Sequence, residues 1–204
     1  NEDGSPFGVT LDAAGKIAGG DRFDGIDDRI VLPQVMTNQG QYTFEAWVNT
    51  ANKQGYMISQ RDSSSHGAFL QYYPTTFQIY SDGAHISKST TTNVWHHVVG
   101  SFDGSTLRLY VDATTPVTTS ATITWPAQAT YIGDRSALGR AFQGTLDEIR
   151  ISDVARSENY IRTSYANQNN PTAFMILGSE EVIGTIIPNQ YPVIFNENPQ
   201  DGKT

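Results

Sequence analysis

The chain has 204 residues, 21 acidic and 13 basic side chains, a formal net charge of −8 and no cysteine. Disulfides, thiolate metal sites and a cysteine nucleophile are excluded, and without a run of Lys or Arg the chain lacks the cations for a sequence-independent grip on nucleic acid or an anionic membrane. No apolar stretch approaches the roughly 20 residues of a membrane span, while 10 Tyr, 9 Phe and 3 Trp supply the bulk for a folded core.

The opening residues, NEDGSPFG, read as a cut into a larger polypeptide. DRFDGIDDRIVLP (21–33) then sets four aspartates around an Asp24-Gly25 turn ahead of a short apolar run. Adjacent carboxylates need positive charge or water among them. An arginine, a calcium ion or solvent alone could supply it. Period-two segments follow: TFEAWVNT (43–50), GAFLQYY (67–73), TFQIYSD (76–82), HHVVGSF (96–102), TLRLYVD (106–112), ATYIGD (129–134) and LDEIRIS (146–152). Alternation with β-branched and aromatic residues predicts strands. FDGST (102–106) predicts a hairpin across an Asp-Gly turn. In the strand after it, Leu107, Leu109 and Val111 share a core face, leaving Arg108, Tyr110 and Asp112 wet. RSENYIRTSYANQNNP (156–171) breaks the period: Ser157 is the expected N-cap, Ile161 and Tyr165 lie one turn apart, and Asn-Asn-Pro ends the run. A short surface helix over one end of the sandwich is expected, then a strand at TAFMILG (172–178). The prediction is an all-β, two-sheet antiparallel jelly roll with one short helix.

FDGIDDRIVLP, YTFEAWVNT, WHHVVGSFDGSTLRLYVD, YIGDR and FQGTLDEIRISDVARS occur in that order. Together they resemble the laminin-G-like, concanavalin A-like jelly-roll domains of bacterial and archaeal surface proteins and polysaccharide-degrading enzymes. The resemblance runs from roughly Gly15 to Gly178. It implies a domain over 1–182 and, over 183–204, a linker and the start of a truncated following domain of a secreted multidomain protein. Its location would be extracellular or at the cell surface. The same sandwich hosts lectins, glycanases and adhesion modules, so the resemblance speaks to fold more than to function.

The superfamily often holds a structural calcium between a loop near the N-terminus and an aspartate on a late strand. The resemblance therefore implies Asp147 as a ligand, with Asp24, Gly25 or Asp28 adding carboxylate or carbonyl oxygens. The alternative is that Asp24 and Asp28 cap turns and Asp147 pairs with Arg29 or Arg150. Glu45 and Glu148 sit in apolar strands and must be paired or face water; an ion pair of Glu45 with Arg150 is the expected solution. The paired-carboxylate strand of related β-glucanases is missing, since no Glu-x-Asp occurs, and neither does Gly-x-Ser-x-Gly nor His-Glu-x-x-His. His96 and His97 point to opposite faces of one strand and cannot chelate together; one is expected to turn inward to a backbone partner.

Sugar recognition uses flat rings with amides and charges around them. Tyr56, Tyr72, Tyr73, Tyr80 and Trp125 supply rings; Gln60, Arg61, Asp62 and His66 flank the QRDSSSHGAF loop. The expected ligand set is Tyr73, Trp125, Tyr72, Arg61, Gln60 and His66. The sequence thus predicts a non-catalytic module binding a polysaccharide or cell-surface glycan. The alternatives are a protein-interaction or structural adhesion module, and a glycanase or lyase of unrecognised type.

Overall fold

Alternating apolar residues become strands because each can put its apolar half against a second sheet. The computed structural model describes residues 4–38, 40–135 and 139–174. In chain order the strands are β1 (Ser5–Phe7), β2 (Thr10–Ala14), β3 (Gly19–Asp24), β4 (Arg29–Leu32), β5 (Tyr42–Thr50), β6 (Gly55–Arg61) and β7 (Gly67–Tyr73). They continue as β8 (Thr76–Ser81), β9 (Ala84–Ser89), β10 (Trp95–Phe102), β11 (Thr106–Val111), β12 (Val117–Ser120), β13 (Thr130–Ile132) and β14 (Gln143–Ser152). Two helices follow, α1 (Glu158–Asn169) and α2 (Pro171–Phe174).

The strands form two seven-stranded sheets, ordered β1-β4-β13-β6-β7-β8-β9 and β12-β11-β10-β5-β14-β3-β2. We call these the first and second sheets. All of the strand pairs are antiparallel. Their inner faces meet in one core that includes Phe44, Val48, Leu70, Tyr72, Phe77, Ile79, Val98, Leu107, Leu109 and Phe142. This is the predicted jelly-roll sandwich.

The β10–β11 hairpin forms as read. The Asp103 carboxylate accepts the N–H of Ser105 at 3.0 Å and of Thr106 at 2.9 Å, and takes Arg108 at 2.6 Å. Gly104 adopts φ +100, which a side chain would strain. β14 carries a bulge between Asp147 and Arg150, where Glu148 sits at φ +51. A bulge re-aims side chains; here it lets Arg150 reach both Glu45 and Glu148.

β1, β2, β3, β4, β6, β9 and β12 were not among the sequence-predicted strands. β2 and β12 are largely exposed and show no apolar alternation. β6 is buried on both faces from Gly55 to Gln60, so its pattern does not alternate either. Residues 172–174 join α2 rather than the expected strand. Pro171 supplies the reason: its fixed φ suits the first helical position as well as it stops α1. Among the described residues there are therefore two helices, where one was expected. The remainder of TAFMILG and the expected linker and following domain lie outside the described residues.

α1 starts where predicted, with the Ser157 side chain accepting the N–H of Tyr160 at 3.2 Å. Its single buried residue, Ile161, packs with Val99, Tyr110 and Ala113 on the outer face of the second sheet. Tyr110, expected to be wet, is buried under this helix. Tyr165 stacks on Trp47 at 5.6 Å, and the Trp47 indole donates to Gln168 at 2.6 Å. One outer face of the sandwich is thereby roofed.

Candidate functional site

The acidic turn is satisfied largely by itself. Asp28 accepts the N–H of Asp24, and Asp24 accepts the N–H of Ile26, both at 2.7 Å. Lys53 caps the Gly25 carbonyl, and Arg29 donates to the Asp27 carbonyl at 2.8 Å. Ligand atoms of Asp24, Asp27 and Asp28 lie within 4.8 Å of one another. Asp147 is not among them. Asp24 pairs with Gln143 across β3 and β14, four residues from Asp147 along the strand, or about 13 Å at 3.3 Å per residue. The calcium set read from the sequence is therefore split between two places.

Asp147 instead accepts the N–H of Ile17 and of Glu148, each at 2.7 Å. It borders a hollow of about 210 Å³ with Gly19, Gly20 and Asp21. Burial and the charge of Asp147 both push the Asp21 carboxyl above its ordinary range. Among the described residues no Lys or Arg forms an ion pair with either carboxylate. Neither Arg29 nor Arg150 takes the partner role expected for Asp147. The two carboxylates repel each other across this hollow, and Asp21 was not among the residues singled out from the sequence.

The buried carboxylate of Glu45 is paired. Glu45 meets His97 Nε2 at 2.9 Å and Arg150 at 3.4 Å, and accepts from Ser164 at 3.1 Å. Burial pushes its carboxyl up, but the His97 hydrogen bond and the charges of His97 and Arg150 outweigh that and hold it below the usual range. This is the ion pair the sequence predicted, closed beneath α1. His96 faces the other way and meets Asp112 at 2.7 Å. Both histidines take carboxylate partners, where a backbone partner was expected for one.

The first sheet leaves an outer face with a different chemistry. Alternation places Phe69, Gln71 and Tyr73 of β7 beside Tyr80, Gln78 and Thr76 of β8. Phe69 and Tyr80 stack at 4.6 Å with their planes 8° apart, and Tyr56 meets Phe69 edge-on at 4.7 Å. The Arg61 guanidinium lies 5.2 Å from the Phe69 ring centre and 5.5 Å from that of Tyr80, and donates to the Tyr56 hydroxyl at 3.3 Å. Gln71 donates to Gln78 at 2.8 Å, and the Gln71 Oε1 is buried without a partner. Tyr73 is 45% exposed.

The expected ligand set therefore divides. Tyr73 and Arg61 belong to this face. His66 stands at its edge, bonded to Asp62 at 3.0 Å, and that carboxylate raises the imidazole's proton affinity. Tyr72 is corrected to core: it is fully buried, donates to Asn52 and accepts the N–H of Thr75. Gln60 is corrected likewise: it is fully buried, and its Oε1 accepts from Met36 N–H at 2.9 Å and from the Thr130 hydroxyl at 2.6 Å. Trp125 packs on Tyr42 at 5.2 Å and Phe44 at 6.4 Å as part of the core's rim, not as an exposed loop ring. The missed amides Gln71 and Gln78 were legible in the alternation of GAFLQYY and TFQIYS.

With this geometry in hand, residues 24–162 match the model of the concanavalin A-like lectin/glucanases superfamily. The chain belongs to that superfamily. No curated protein sequence matches it. This concanavalin A-like sandwich is similar to the binding domain of Paraclostridial Mosquitocidal Protein 1, at 14% identity and TM-score 0.67, over 83% of this chain and 48% of that one. It is similar to domain 4 of AbnA, an extracellular arabinanase from Geobacillus stearothermophilus, in complex with arabinotriose, at 17% identity and TM-score 0.59, over 76% and 80%. It is also similar to the botulinum neurotoxin serotype D binding domain, at 11% identity and TM-score 0.62, over 82% and 47%. The chain spans about half the length of the two toxin domains. At these identities the likeness concerns the fold. No helix among the described residues is long and apolar enough to cross a membrane.

Proposed function

We propose that the domain is a non-catalytic carbohydrate-binding module of a secreted or cell-surface protein, and that its glycan lies on the outer face of the first sheet. The observation that carries this reading is the union, on one face that no described helix covers, of exposed Tyr73, the Tyr80–Phe69 stack and the Gln71–Gln78 amide pair. Rings pack against the apolar faces of sugars, and amides and guanidinium groups meet hydroxyls. The second sheet offers no equivalent where α1 roofs it. Domain 4 of AbnA, similar in fold, was solved with arabinotriose, which favours the glycan reading over protein adhesion.

A structural calcium belongs to the same proposal, at Asp147 and Asp21 instead of the Asp24 turn. When bound it would neutralise two repelling carboxylates and tie the Gly15–Gly20 turn to β14. The turn already touches Asp147 through Ile17 N–H.

Affinity electrophoresis in polysaccharide gels tests the site. Tyr73→Ala combined with Tyr80→Ala should abolish retention while the melting temperature stays within a few degrees, because neither ring lies in the main core. Retention equal to wild type would reject the face. Chelator should lower the melting temperature of wild type and not of Asp147→Asn; an unchanged wild-type value would reject the metal.

A further inference from the structure

Side chains alternate along a strand, and Leu70, Ile79 and Ile86 turn into the core. Their neighbours on β7, β8 and β9 therefore face outward. Strand pairing sets these in three rows across the sheet: Phe69, Tyr80 and His85; Gln71, Gln78 and Ser87; Tyr73, Thr76 and Ser89. Phe69 and Gln71 are buried and form a floor. Thr76, Gln78 and Tyr80 are half-buried, while Tyr73, His85, Ser87 and Ser89 are exposed. The accessible part of the face is thus centred on β8 and β9, nearer the sheet edge than the ring stack.

None of these outward residues is Asp, Glu, Lys or Arg. Lys88 turns to the opposite side of β9 and donates to the Thr114 hydroxyl at 2.7 Å and the Thr115 carbonyl at 2.6 Å. At the Tyr80 end, the Arg61 guanidinium is committed to the Phe69 and Tyr80 rings and to the Tyr56 hydroxyl. The acids there are engaged too: Asp62 holds His66, and Asp82 accepts the N–H of Gly67. What the face offers is uncharged. Gln78 accepts from Gln71 at 2.8 Å and donates to Thr76 at 3.5 Å, and the side chains of His85 and Ser87 have no hydrogen-bond partner among the described residues.

From this grid we infer that the ligand is a neutral polysaccharide held along its chain, with His85 and Ser87 of β9 as contact residues beside Gln78 and Tyr80; this class rests on the glycan reading above and narrows it. A carboxylate or sulfate laid on the face would give up water with no cation to meet it. The net charge of −8 adds repulsion at longer range. Sugar hydroxyls carry no such cost and find amide, hydroxyl and imidazole partners. The dimensions require a chain. Tyr73 stands beside Thr76, and Tyr80 lies four residues farther along β8, about 13 Å at about 3.3 Å per residue, with β9 one strand spacing of about 4.8 Å beyond. A ligand that touches Tyr73 and His85 together is longer than one sugar ring.

Calorimetric titration with arabinan, xylan and a mixed-linkage β-glucan against polygalacturonate and alginate tests the class. At least one neutral polymer should bind about tenfold or more tightly than both uronate polymers. The pentasaccharide of that polymer should bind about tenfold or more tightly than its disaccharide. His85→Ala with Ser87→Ala should weaken the pentasaccharide about fivefold or more, with an unchanged melting temperature. Tighter binding of a uronate polymer, a disaccharide equal to the pentasaccharide, or wild-type affinity in the double variant overturns this assignment and leaves the glycan reading standing. Binding to none of the five polymers overturns both.

Discussion

Ile161 is the one buried side chain of a helix that is otherwise polar, so Ile161→Ala isolates what holds α1 to the second sheet. The side chain is fully buried against Val99, Tyr110 and Ala113. Three carbons at about 0.8 kcal/mol each give roughly 2.4 kcal/mol before any cavity forms. Cavity terms place such replacements at about 2–5 kcal/mol, or a fall of about 5–15 °C at this chain length. Urea unfolding followed by circular dichroism measures the loss. Tryptophan fluorescence reports the mechanism, because undocking α1 removes the Tyr165 stack and the Gln168 hydrogen bond from buried Trp47. A red shift at low urea, before the sheets unfold, is expected. A cost under 1 kcal/mol with unshifted emission would refute the view that this contact roofs the second sheet.

Two further predictions concern the core. Glu45 is held below its unfolded range, so its pairing stabilises the fold above the unfolded carboxyl pKa and is lost as pH falls through the folded value. Glu45→Gln should cost about 1–3 kcal/mol at pH 7, and the gap to wild type should close as the pH drops below about 4; a gap constant with pH denies the linkage. Gly100 stands where the sheets approach closely, and an added Cβ would sit 2.5 Å from Ile79 Cδ1. Gly100→Ala should cost about 1–3 kcal/mol and Ile79→Val about 0.5–1.5 kcal/mol. The double variant should be more stable than their sum by 1 kcal/mol or more; strict additivity would rule out the clash.

The local pattern of the chain determined much of this protein. Alternation in 43–50, 67–73 and 106–112 specified strands, Asp103-Gly104 specified a hairpin, and Ser157 specified where α1 begins. The pairing of Glu45 with Arg150 was legible because a carboxylate in an apolar strand requires a partner. Alternation also stated that Tyr72 and Tyr73 point opposite ways, but not which of them faces the core. That depends on which side of the sheet another layer covers. The same holds for Tyr110, wet by pattern and dry under α1, and for Gln60, polar by nature and buried by its bonds to Met36 and Thr130. Asp147 found Asp21, not the Asp24 turn, because β3 and β14 pair in a register that no motif records. Side-chain direction is a property of neighbouring peptide units, whereas burial and site membership are set by strands many residues apart, and only the folded sheets bring those together.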